Sequence, residues 1–206
     1  MKTLLGNQYV KHLNDLKSHI PGFKPAQLPV SVHYETTDAK SFDLIDKKNP
    51  NITNTGSGSV TYHNNTCRHF VAVNYEELLN SLPECVSKGI KRPDFIVYDE
   101  SDEGAYFIIN ELSQGKPASK RSDAKAQMHS ALKLLKEVKG TDDFISKRQI
   151  RLCIFSCRSD FPDTPDGIAD AFGINGKHLQ DMVEIKFQPI TKAGFKAYET
   201  DVVLLV

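Results

Sequence analysis

Two apolar runs decide the reading of this chain, Arg92-Pro-Asp-Phe-Ile-Val-Tyr-Asp99 and Ala105-Tyr-Phe-Ile-Ile-Asn-Glu-Leu-Ser113. Both are rich in β-branched and aromatic residues, and the acidic turn Asp99-Glu-Ser-Asp-Glu-Gly104 between them predicts a hairpin over 95–98 and 105–112. Strand side chains alternate, so Glu111 and Ser113 project from one face and Leu112 from the other. Pairing also brings Asp94 close to Glu111 in space. Two carboxylates so held suit a hard divalent cation such as Mg²⁺ or Mn²⁺. Such an ion can polarise a phosphoryl oxygen and activate water near neutral pH.

Elements on either side extend the pattern. After the hairpin, residues 122–139 read as a long helix with Ser122 as N-cap and Gly140 as terminator; Ala124, Met128, Ala131, Leu135 and Val138 form its apolar stripe. Residues 150–155 read as a strongly apolar strand. Before the hairpin, Asn74 and Glu77 make a capping-box pattern for a helix whose stripe is Tyr75, Leu78, Leu79, Leu82 and Val86, kinked or split at Pro83 and closed by Gly89. Farther out, residues 4–20 read as a helix, 30–34, 41–45, 60–62 and 69–73 as strands, and 49–59 as a mobile loop. Beyond 158 the pattern predicts a loop over 159–167, a short helix over 168–172, and strands over 183–187 and 202–206. Helix, hairpin, helix and strand in that order imply an α/β fold, a mixed sheet flanked by helices. The chain reads as a single domain over 1–206, with a helix-and-strand extension over 1–73, a core over 74–157 and C-terminal strands over 158–206.

Composition narrows the function classes. The 206 residues carry 26 basic and 26 acidic side chains, so the molecule as a whole is no polycation. Contact with nucleic acid therefore requires a local basic patch. Between Ser113 and Lys139, seven basic residues stand against two acidic ones. The group Lys116, Lys120, Arg121 and Lys125, around the start of the long helix, is the candidate surface for a phosphate backbone. No apolar run reaches membrane-spanning length, and the first ten residues lack a signal-peptide core, so a cytoplasmic setting with reduced cysteines is expected. His63, Cys67 and His69 match no standard zinc spacing. Cys153 and Cys157 would lie about 13 Å apart on a regular strand and are read as core thiols.

The run Arg92-Pro-Asp-Phe-Ile-Val, followed by Phe-Ile-Ile-Asn-Glu111-Leu-Ser, resembles the PD-(D/E)XK signature of the restriction-endonuclease-like nuclease superfamily. In that family a Pro-Asp precedes an acid-any-Lys tripeptide at the end of an apolar strand. The resemblance implies Asp94 and Glu111 as Mg²⁺ or Mn²⁺ ligands, the Leu112 carbonyl completing the site, and an acid from the preceding helix, Glu76 or Glu77. It also implies a helix glutamine, Gln127. The position of the family's lysine holds Ser113, which carries no charge, so Lys116, Lys120 or Lys125 would have to replace it. The family's strand between its first helix and the Pro-Asp strand has no room after residue 89; residues 69–73, before the helix, are the substitute.

Three readings follow. The first is a metal-dependent DNA endonuclease of restriction, repair or phage defence, acting as a homodimer or with a partner subunit. The second is a catalytically inactive module of the same fold that binds nucleic acid or a protein. In the third the motif is accidental and the chain is an interaction protein on another α/β fold, with Asp94 and Glu111 far apart or each paired with a basic side chain.

Overall fold

The computed structural model describes residues 1–46, 50–101, 104–114, 117–158 and 183–205. The expected loop over 159–167 and helix over 168–172 lie outside them, as does Lys116. The fold is mixed α/β. Its large sheet has seven strands in the order β1 (Tyr34–Thr37), β5 (Phe70–Asn74), β6 (Phe95–Asp99), β7 (Tyr106–Gln114), β8 (Ile150–Arg158), β10 (Lys196–Glu199) and β9 (Val183–Glu184). A second sheet of four strands runs β11 (Val202–Leu205), β4 (Val60–Asn64), β2 (Ser41–Leu44) and β3 (Ile52–Thr53).

β5, β6 and β7 are antiparallel neighbours, and β7 continues into a parallel β8 through the crossover helices α5 (Pro117–Glu137) and α6 (Lys139–Ser146). All five residues of β6 are buried. The reason is that both faces of the large sheet are covered, which favours continuous apolar strands over alternating ones. On one face Ile96, Tyr98, Phe107 and Ile109 pack with Leu5, Tyr9, Leu13, Met128 and Leu135 from the helices. On the other, Phe95, Val97, Tyr106 and Ile108 pack with Phe42, Tyr62, Val203 and Leu205 of the small sheet. Residues 1–73 are thus built into both sheets. Among the described residues no helix is long and apolar enough to cross a membrane.

Several local expectations change. The N-terminal helix is α1 (Lys2–Leu4), a π-helical turn over Leu5–Tyr9, and α2 (Val10–Lys17). Pro83 does split the next helix, into α3 (Tyr75–Asn80) and α4 (Glu84–Ser87). Ser122 is interior to α5, which starts five residues earlier at Pro117; proline suits a first turn, where its missing N–H costs nothing. Gly140 terminates nothing. Extended Val138 breaks the helix, and Gly140 lies inside α6, where a Cβ would sit 2.3 Å from Gln8 Oε1 of the N-terminal segment. The expected strand over 30–34 forms only from Tyr34 onward. The expected mobile loop contains β3, and it is fastened by Asp43, which accepts from the Gly56 and Gly58 N–H groups at 2.8 Å each. Of residues 183–187, only two form a strand; α7 (Gln188–Lys192) and β10 follow.

Candidate metal centre

The site lies where β6 begins and β7 ends. Phe95 pairs with Asn110, so the next step of the ladder sets Asp94 across from Glu111. Asn110 faces the small sheet and accepts from the Tyr62 hydroxyl at 2.7 Å. Alternation then turns Asp94 and Glu111 to the opposite, helix-covered face. Asp94 is held at both its side chain and its backbone. The Leu112 N–H donates to its Oδ2 at 2.6 Å, and its backbone carbonyl accepts from Tyr75 and Glu76 N–H at 2.8 and 3.2 Å. The N-terminus of α3 is therefore docked on Asp94. Its phase is set by Asn74, whose side chain caps Glu77 N at 2.8 Å.

That phase chooses between the two helix acids. Glu76 turns toward Asp94, and together with Asp46, just beyond β2, each offers a carboxylate oxygen within 4.8 Å of the others. Glu77, one helical step of about 100° away, instead meets His33 Nδ1 at 2.6 Å. The expected role of Glu77 as a metal ligand is corrected accordingly, and the capping box is only half made. At 4.8 Å, like charges repel by on the order of 3 kcal/mol per pair at an effective dielectric near 20, before screening.

Glu111 adjoins this cluster. It is 8% exposed, and its Oε2 is buried without a hydrogen-bond partner. Burial first, then the Asp94, Glu76 and Asp46 carboxylates, push its pKa up to about 9, against the opposing hydrogen bond from Gln127. No basic side chain among the described residues forms an ion pair with it, so the ion-pair alternative for Glu111 finds no partner there. The donor set, carboxylate oxygens with an unsatisfied buried one beside them, fits a hard divalent cation, whose charge would offset the repulsion.

A cleft of 390 Å³ opens over the site, lined by Glu76, Ile90, Lys91, Arg92, Glu111, Ser113, Lys120, Asp123, Gln127 and Phe155. Lys120, Asp123 and Gln127 recur at helical spacing along α5, one face of which borders the cleft. Gln127 Nε2 also donates to the Arg92 carbonyl at 3.0 Å, tying α5 to the Pro-Asp turn. Arg92 Nη1 is buried without a hydrogen-bond partner among the described residues. Lys91 meets Asp123 at 3.7 Å across the rim.

The expected basic surface divides. Lys120 borders the cleft. Arg121 is held by Glu199 at 2.6 Å, and Lys125 lies 5.8 Å from the centre of the Phe187 ring, so neither lines the cleft. Leu112 reaches the site through its N–H, whereas the expectation concerned its carbonyl. Asp46, Lys91, Arg92 and Asp123 escaped the sequence reading. Arg92 adjoins the motif and could have been weighed; Asp46 carries no local signal, because only the meeting of the two sheets brings it here. His63 hydrogen bonds Ser41 Oγ at 3.1 Å, Cys67 is exposed, and His69 lies 3.8 Å from Glu100. Asp46, Glu76 and Asp94 are the only group of three potential ligands among the described residues. No family model, curated protein or solved structure matches the chain.

Proposed function

We propose that this protein is a divalent-cation-dependent phosphodiesterase acting on DNA, with Asp94, Glu111 and Glu76 around the cation. The observation that carries the reading is Glu111, a carboxyl more than nine-tenths buried, which has an unpartnered oxygen, feels the Asp94, Glu76 and Asp46 carboxylates, and lines the open cleft together with Glu76. Further support comes from the order of elements, Pro-Asp strand, acid-bearing strand, helix and parallel strand, which agrees with the PD-(D/E)XK resemblance.

When bound, Mg²⁺ or Mn²⁺ polarises a phosphoryl oxygen and activates water. The chain's own residues do the rest. Leu112 N–H fixes the Asp94 carboxylate, and Gln127 orients Glu111. With a cation bound, Glu111 would release its proton to solvent and offer its carboxylate as a ligand. Lys120 and Arg92, on the cleft wall, supply positive charge to the phosphate, the task that Ser113 cannot perform.

Cleavage of plasmid and short linear DNA with Mg²⁺ or Mn²⁺ tests this reading. Wild type should nick DNA only with the cation, and Glu111→Ala should abolish nicking. Cation binding without cleavage would favour the inactive module that holds nucleic acid or a protein partner.

A further inference from the structure

The cleft and the motif acids belong to the large sheet and the helices on it, but Asp46 does not. It follows β2 in the small sheet and still places a carboxylate oxygen within 4.8 Å of Glu76 and Asp94. Like charges do not gather unaided, and here dedicated bonds hold them together. Ile45 and Asn51 bond to each other next to Asp46, with Ile45 N–H donating to Asn51 O at 2.9 Å and Asn51 Nδ2 to Ile45 O at 3.3 Å. Glu35, from β1 of the large sheet, accepts from Asn51 and Ile52 N–H at 2.6 and 2.8 Å. Asn74 joins the two sides, since its Oδ1 caps α3, which carries Glu76, while its Nδ2 donates to Asn51 Oδ1 at 3.3 Å. One side chain thereby positions the elements that bear two of the acids.

An acidic cluster alone would prove little. The independent observation is Glu111, 8% exposed, whose Oε2 is buried without a hydrogen-bond partner beside the same acids. A buried carboxylate oxygen left unsatisfied among like charges calls for a cationic ligand.

We propose that Asp46 ligates a divalent cation together with Glu76 and Asp94, so that cation binding fastens the small sheet to the large one. Asn74 acts as a positioning residue between the ligand-bearing turn and helix. The proposal rests on the cation-binding part of the functional reading and not on DNA cleavage. It makes the small sheet part of the metal centre, although the motif acids lie in residues 74–157.

The test is Mn²⁺ titration of the full chain, wild type against Asp46→Asn, combined with amide hydrogen exchange over residues 41–44 and 60–64. Wild type should bind Mn²⁺ saturably, and exchange in both segments should slow on binding. Asp46→Asn should bind at least about tenfold more weakly and lose the Mn²⁺-dependent protection. A cooperative thermal transition of the cation-free variant serves as the folding control. Equal Mn²⁺ affinity or unaltered protection would each overturn the proposal. Failure here with intact Mn²⁺-dependent cleavage leaves the nuclease reading standing. Asp46-dependent Mn²⁺ binding without any cleavage does the reverse.

Discussion

The hairpin of β6 and β7 has a buried carboxylate at each end, and the chain treats the two in opposite ways. At the turn end, Asp99 is fully buried and its charge is answered. It accepts from Ala105 N–H at 2.8 Å, Ser101 Oγ at 3.3 Å and Arg68 Nη1 at 3.5 Å, while Arg148 Nη2 reaches its backbone carbonyl at 3.5 Å. Gly104 leaves room for this arrangement, because a Cβ there would sit 2.4 Å from Asp99 Oδ1 and 2.5 Å from Arg148 Nε. At the open end, Glu111 meets three more carboxylates and a single side-chain amide. The contrast is between a buried carboxylate paired with a basic side chain and a buried carboxyl set among other acids.

Removing the carboxylate should therefore have unequal consequences at the two ends. Asp99→Ala strands the half-buried Arg68 and the buried Ala105 N–H, and should cost about 3–5 kcal/mol in denaturant unfolding. Glu111→Gln, without cation, replaces a carboxyl that already holds its proton near neutral pH and should leave stability there nearly unchanged. Equal destabilisation by the two substitutions would erase the distinction.

A pH series sharpens it. Folded, cation-free protein keeps the Glu111 proton up to about pH 9, whereas a carboxyl at its ordinary value of 4.5 has lost it. The folded state thus binds more protons than the unfolded chain across that window, and stability should fall as pH rises through it. Glu111→Gln should flatten this dependence when unfolding is followed from pH 5 to 9. An identical slope in the variant would place the titrating group elsewhere.

The smallest effect concerns Glu77, the acid that turned away. Its pairing with His33 is half exposed, so Glu77→Ala should cost about 0.5 kcal/mol. DNA cleavage and Mn²⁺ affinity should not change, whereas Glu76→Ala should weaken both. If Glu77→Ala also impairs cation binding, the phase assigned to α3 is wrong.

What the sequence revealed was what is local. Apolar runs around an acidic turn announced the hairpin, and with it the juxtaposition of Asp94 and Glu111. The apolar stripe of α5 was legible from periodicity, and Asn74 from its type and position. The choice between Glu76 and Glu77 was not legible, because it depends on how α3 docks onto the Asp94 carbonyl. Gly140 misled because a glycine after an amphipathic helix signals termination, and here it accommodates the N-terminal segment instead. Strand β10 is too polar, as Lys-Ala-Tyr-Glu, to be read as a sheet member next to β8. Asp46 was beyond reach, since pairing between strands far apart in sequence delivers it to the site.

Calorimetric titration of Mn²⁺ into the wild-type chain at pH 7.5, repeated in buffers of different ionisation enthalpy, tests the central claim most directly. Saturable binding with release of about one proton, the one held by Glu111, is expected, since ligation requires the deprotonated carboxylate. Glu111→Gln should abolish that release. Absence of saturable binding, or binding with the same proton release in Glu111→Gln, would contradict the assignment of this carboxylate cluster as a cation site.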